Sequence, residues 1–195
     1  MAISIQRIGY GQVEPNHLSA QYTGQIYAQL PAKTAIAGSG SGSGSGSGDP
    51  VVSPIEQLEN GQFLKYNYAG DRASLDGDGE WMLVFNEVKL YDERRQNYKD
   101  FCMKASDMAD GLIYPRLLKT NIGDIFTTNT FGTNAAGPDA KQASAVSLTK
   151  GDKLTIDENG FLASAGMSPT APVFQVVKEY TLADGQNAVK IQRIQ

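Results

Sequence analysis

Four carboxylates fall within ten residues, Asp71, Asp76, Asp78 and Glu80, with glycine at 77 and 79 between the last three. Acids separated by glycines can turn their oxygens onto one cation, which is how a calcium loop is built. The full loop needs oxygen ligands at about six positions over about twelve residues. Asp76-Gly77-Asp78-Gly79-Glu80 stops after three. Asp76, Asp78 and Glu80 are thus the metal candidates, a solvated turn is the expectation, and no metal or cofactor is expected. A second charged group, Asp92-Glu93-Arg94-Arg95, is flanked by Tyr91, Tyr98 and Phe101. It suits either a solvated face or a subunit contact, since aromatics beside arginine are common interface anchors.

Nucleophilic chemistry has little to work with. The single histidine, His17, lies among polar residues near the start of the chain, and the single cysteine, Cys102, excludes intramolecular disulfides and a cysteine metal cluster. Cys102 reads as a small core hydrophobe. Gly9-Tyr10-Gly11 lacks the later glycine and following helix of a phosphate loop. Any two acids can meet in space as a glycosidase pair, but nothing nominates one. The tyrosines at 66, 68, 91, 98, 114 and 180 could line a ligand groove, although aromatics on strands more often pack in cores. No enzyme is expected.

The elements that would position these residues are divided by an unusual boundary. Residues 38–48 alternate glycine and serine without a break, separating residues 1–37 from a body at 49–195. Such a run has no apolar surface to bury and behaves as a tether, typically spanning about 17–20 Å for this length. So regular an alternation reads as an engineered bridge between an N-terminal arm and the body. Ile3 and Ile5 begin a short extended segment, and Tyr22, Ile26 and Leu30, four apart, fit a short helix from about Leu18 to Leu30. The arm is too weakly apolar to fold alone. Its anchors must pack against the body or another copy, so Ile5, Ile8, Tyr22 and Ile26 join Tyr91, Arg94, Arg95 and Tyr98 as expected interface residues.

The body has the grammar of a β protein. Residues 62–68 and Trp81 to Leu90 read as strands around a Gly- and Asp-rich loop at 69–79, residues 91–108 as an irregular loop with some helix, and Leu112 to Lys119 as an extended stretch bent at Pro115. Residues 130–147 read as a surface loop. Gly123-Asp124-Ile125-Phe126-Thr127 and Gly151-Asp152-Lys153-Leu154-Thr155 repeat one phrase, a Gly-Asp turn feeding a strand. Asn159-Gly160 suits a type I′ hairpin turn, and Val173 to Tyr180 joins Ala188 to Ile194 across residues 183–186. Regular short strands with turns between them predict a mainly β fold, a small antiparallel barrel or sandwich with an extended N-terminal arm, and residues 148–195 as a barrel-like hairpin unit. Ile5-Gln6-Arg7-Ile8 recurs as Ile191-Gln192-Arg193-Ile194. If both are edge strands, the first could extend a sheet by strand addition, in its own body or a neighbour's.

The charge balance, 17 Lys+Arg against 21 Asp+Glu, offers no basic field for nucleic acid. The longest apolar run, Trp81 to Phe85, is five residues, against about 20 needed to cross a bilayer, and residues 1–20 are too polar for a secretory signal. Neither nucleic acid nor membrane is expected as a partner.

Leu148 to Leu162 followed by Phe174 to Leu182 resembles the small β-barrel of tailed-bacteriophage head proteins of the decoration, head-fibre and auxiliary capsid kind. Trp81 to Tyr91 and the opening Ile5-Gln6-Arg7-Ile8-Gly9-Tyr10-Gly11 are similar to virion proteins of phages infecting Firmicutes. The resemblance implies a non-enzymatic homo-oligomer on a capsid, with the major capsid protein as partner, the arm clasping neighbours, and localisation in the virion after synthesis in the host cytoplasm. A β-barrel binding module for carbohydrate or a host receptor, with Trp81 and tyrosines as stacking platforms, is the alternative.

Overall fold

A computed structural model describes residues 2–27, 29–36, 51–86, 102–132, 145–164 and 171–195. In chain order these form β1 (Ile3–Ile5), β2 (Val13–His17), α1 (Ser19–Thr23), β3 (Ile26–Tyr27), β4 (Lys33–Ile36), β5 (Val51–Pro54), β6 (Gln57–Glu59), β7 (Phe63–Asn67), β8 (Arg72–Ser74) and β9 (Trp81–Val84). There follow β10 (Cys102–Lys104), β11 (Leu117–Lys119), β12 (Ile125–Thr128), β13 (Val146–Leu148), β14 (Lys153–Ile156), β15 (Leu162–Ser164), β16 (Phe174–Thr181) and β17 (Asn187–Arg193). The fold is mainly β, built of several antiparallel sheets.

Six strands in the order β15-β14-β16-β17-β12-β2 make the larger sheet, and β3-β11-β9-β7-β8 make a five-stranded one. Neither closes: among the described residues β15 and β2 remain the two edges of an open sheet, so the barrel expected of residues 148–195 is not formed. Pro15 and the exposed Asn16 and His17 suit β2 to an edge, since proline cannot donate to a further ladder.

Period-two alternation assigns each face. Phe63, Leu83 and Leu118 stand in register across β7, β9 and β11 and pack with Phe126, Leu154, Phe174, Val189 and Ile191 of the larger sheet in one core. Phe63, Phe126 and Phe174 meet there with ring centroids 5.5–6.5 Å apart. The alternate residues Leu64, Met82, Val84 and Leu117 turn the other way into a second core with Leu58, Met103 and Ile113. The five-stranded sheet is therefore buried on both faces, which is why residues 81–85 are apolar without a break.

Both Gly-Asp phrases become the same turn. Gly123 and Gly151 take φ of 97° and 100°, and the N–H of Asp124 and Asp152 donates three residues back, to Asn121 O and Thr149 O. β12 and β14 start from these turns and flank the central β16–β17 hairpin on opposite sides.

Several local expectations are corrected. The helix from Leu18 to Leu30 shrinks to five residues, because Gly24 at φ 72° closes it and Ile26 then pairs with Leu118. The strand begun at Trp81 ends at Val84. Residues 87–101 lie outside the described residues, as do the glycine–serine run at 38–48 and most of the loop expected at 130–147. Cys102 and Met103 are buried strand residues paired with Glu59 and Leu58, followed by a 3₁₀ turn at Ala105–Asp107, not an irregular loop. At 157–161 only Gly160 has positive φ, so the turn is not type I′; Asp157 Oδ1 holds it by accepting the N–H groups of Asn159 and Phe161.

Candidate functional site

Residues 2–36 are laid against the rest of the chain strand by strand. β1 pairs with β13, β2 with β12, β3 with β11 and β4 with β5. Ile36 is in register with Val51 in the last pair, so the chain enters and leaves residues 37–50 at neighbouring positions. Ile5, Leu18 and Ala20 are buried in the main core and Ala32 in the second. Among the described residues, the seam between this segment and the remainder carries many of the buried polar side chains, Arg7, Gln12, Glu59, Asp124, Thr127, Thr128 and Asn129 among them.

Its centre is the turn at residues 7–12. Arg7 is fully buried, and its Nη1 donates to Glu59 Oε2 at 2.5 Å; the Gly11 N–H donates to the same oxygen at 3.0 Å. A Cβ at Gly11 would lie 2.3 Å from Thr130 Oγ1 and 2.5 Å from Asn60 O, so only glycine allows this approach. Tyr10 stacks under Lys104 Nζ at 5.7 Å. A hydrogen bond with Cys102 and burial push its phenol above the ordinary range, against the opposing pull of Lys104.

From this turn the polar contacts spread along both sheets. The Gln12 N–H donates to Asn129 Oδ1, and Gln12 Nε2 donates to Asp184 Oδ2 at 2.6 Å. The Ile8 N–H donates to Gln186 Oε1, and Asn187 Nδ2 donates to Ser4 O. Burial alone pushes the Asp184 carboxyl up, but hydrogen bonds from Gln12 and from the Gln186 side chain and backbone outweigh it and hold the group below its usual range.

The far anchor is Asp124. Its carboxylate accepts the Ser19 N–H and Oγ–H, both at 3.0 Å, and the Asn121 N–H at 2.8 Å. Helix α1 has no side-chain cap of its own. Asp124, remote in sequence and 2% exposed, satisfies its first donor instead.

The residues singled out from sequence are dispersed. Asp76 pairs with Arg72 at 2.7 Å and accepts from Thr34, while Glu80 sits between Lys119 at 2.8 Å and Arg193 at 3.7 Å. Asp78 is exposed. Among the described residues no three His, Cys, Asp or Glu side chains stand where they could hold a metal ion. Ile8 and Tyr22 are exposed, with Tyr22 against His17; Ile26 is half-buried and packed on the core, and Ile5 is wholly within it. Tyr91, Arg94, Arg95 and Tyr98 lie outside the described residues. Trp81 is 9% exposed with Lys65 Nζ 4.9 Å above its ring, which leaves no open face for stacking a sugar. A groove of about 880 Å³ runs along β5, β6 and β10, lined by Glu56, Gln57, Glu59, Lys104 and Phe161 among others.

Glu59, Asn129, Asp184 and Gln186 carry no signal in sequence, since each acts through a partner far along the chain. Asp124 had one, the repeated Gly-Asp phrase. No family model, curated protein or solved structure matches this chain.

Proposed function

We propose that the chain is a non-enzymatic structural protein of a bacteriophage virion, which assembles with its own copies and the major capsid protein and stabilises the shell. Its N-terminal segment is exchanged between copies. The observation that supports this reading is the way residues 2–36 add an edge strand to each of the two larger sheets and pair with β13 and β5 in two two-stranded ones, by short antiparallel ladders. Each ladder is made by backbone donors and acceptors that the same segment of another copy offers equally. By length and composition alone, about 14 residues that are mostly glycine and serine, the make-up of residues 37–50, have a typical reach of roughly 20 Å and a stretched one of roughly 45–50 Å. The clasping arm of the capsid reading is then a domain swap built on the contacts described above.

Ser4 and Ser147 stand opposite each other across β1 and β13, and both are exposed. Directly paired strand positions place Cα atoms about 4.5–5.5 Å apart, within disulfide range. Single variants Ser4→Cys and Ser147→Cys are mixed at high concentration and oxidised. Exchange yields a mixed covalent dimer on a non-reducing gel; its absence, with a strict monomer by light scattering, refutes the swap. Sedimentation with heads assembled from a tailed-phage major capsid protein tests the virion role, which fails if the chain stays in the supernatant.

A further inference from the structure

We propose that the buried Arg7–Glu59 pair is a latch: it sets where residues 2–36 dock but adds little net adhesion, so the segment opens ahead of the rest of the fold. This rests on the exchange reading above and names the contact that controls it.

The Arg7 side chain is 0% exposed, yet only Nη1 is engaged, and Nε and Nη2 have no hydrogen-bond partner among the described residues. A guanidinium stripped of water and left with two of its nitrogens unpaired recovers hydration when it opens, which offsets the attraction to its carboxylate. Of the three donors to Glu59, Arg7 Nη1 and the Gly11 N–H come from the segment and Gln57 Nε2 from the body, so opening returns the carboxylate to water together with the guanidinium. In the closed state the unpaired donors of the pair are those of Arg7. Of five buried side-chain polar atoms without a partner among the described residues, three belong to the segment: Arg7 Nε, Arg7 Nη2 and Gln12 Oε1.

The ladders point the same way. The segment's ladders have two to four register pairs each, three for β1, two for β3 and four each for β2 and β4, whereas β16 and β17 share seven. Short ladders with unsatisfied buried groups open locally, and long ones open with the whole molecule. The latch still specifies position, because Gly11 must approach Thr130 and Asn60 within contact distance for Arg7 to reach Glu59.

Native-state hydrogen exchange on the full chain tests this. In the wild type, the Gln12 amide and those of β1 should exchange at least 100-fold faster than amides of the β16–β17 ladder. The double variant Arg7→Met, Glu59→Gln removes both charges and keeps an acceptor for the Gly11 N–H. It should slow the segment amides at least tenfold, or about 1.4 kcal/mol, and leave the β16–β17 amides unchanged. Carried into the Ser4→Cys and Ser147→Cys chains, it should slow formation of their mixed disulfide by a similar factor. Segment amides that exchange no faster than β16–β17 overturn the latch. So does a double variant that opens faster or fails to fold, since the pair would then be a net anchor. A segment that opens early and is slowed in the variant, but never forms the mixed disulfide, upholds the latch and refutes the exchange reading alone.

Discussion

Replacing Asp124 by alanine is the sharpest test of how the N-terminal segment is held. The carboxylate accepts three hydrogen bonds, from Ser19 N–H, Ser19 Oγ and Asn121 N–H, in a 2% exposed position. Ser19 Oγ already accepts from Asn121 Nδ2 and can find other partners, but the two backbone donors lose theirs. A buried donor left unsatisfied costs about 1–3 kcal/mol, and Ser19 and Asn121 are half-buried, which puts each toward the lower part of that range, so Asp124→Ala should lose about 2–4 kcal/mol. At about 2–4 °C per kcal/mol for a chain of this size, the midpoint should fall by about 5–15 °C. Asp152 provides an internal control, because it holds the same turn with bonds from Thr149 N–H and Thr149 Oγ alone, in a half-buried site. Asp152→Ala should lose only about 1–2 kcal/mol, since water reaches what it leaves behind. Asp124→Asn should fall between the two, as one amide oxygen replaces one of the two acceptors. Thermal and urea unfolding of the three variants read these differences. If Asp124→Ala is no more harmful than Asp152→Ala, the carboxylate does not cap α1, and the docking scheme is wrong.

Two further outcomes follow from the same geometry. Gly160→Ala should lose at least about 3 kcal/mol or fail to fold, since φ is 80° and the new Cβ would lie 2.1 Å from Phe63 O; Gly24→Ala, at φ 72° with nothing within 4 Å, should lose only about 1 kcal/mol by urea unfolding. Asp184 titrates lower folded than unfolded, so its contribution is full above its unfolded value near about 3.9 and is lost as pH falls through its folded value. Midpoints recorded from about pH 7 to 2.5 should therefore decline less steeply below about pH 4 in Asp184→Asn than in the wild type; equal slopes would remove Asp184 from the acid response.

Much of the β grammar was readable because it is local. The unbroken apolar run at 81–85 predicted a strand that starts in the core, and the repeated Gly-Asp phrase predicted two turns that prove alike in φ and in backbone bonding. Residues 173–194 formed the hairpin their pattern implied. Where the reading failed, a distant partner had overruled a local preference. The spacing of Tyr22, Ile26 and Leu30 is helical, but Ile26 gains more from pairing with Leu118 than from one more turn of an isolated helix. Cys102 and Met103 look ambiguous alone and become strand only because β6 lies beside them.

The same division holds for the seam. Sequence alone determined that residues 1–37 are poor in apolar side chains, that glycine was needed at the tight turns, and that alternate residues of β7 would face opposite ways. Those properties depend on backbone sterics and on the period of a strand, which neighbours in the chain already set. Only the tertiary structure decided that Arg7 meets Glu59, that Gln12 reaches Asp184, and that Asp124 caps a helix about a hundred residues earlier. A charged or amide side chain has no preferred partner until burial removes water as the competitor, and burial is settled by which sheets close over it.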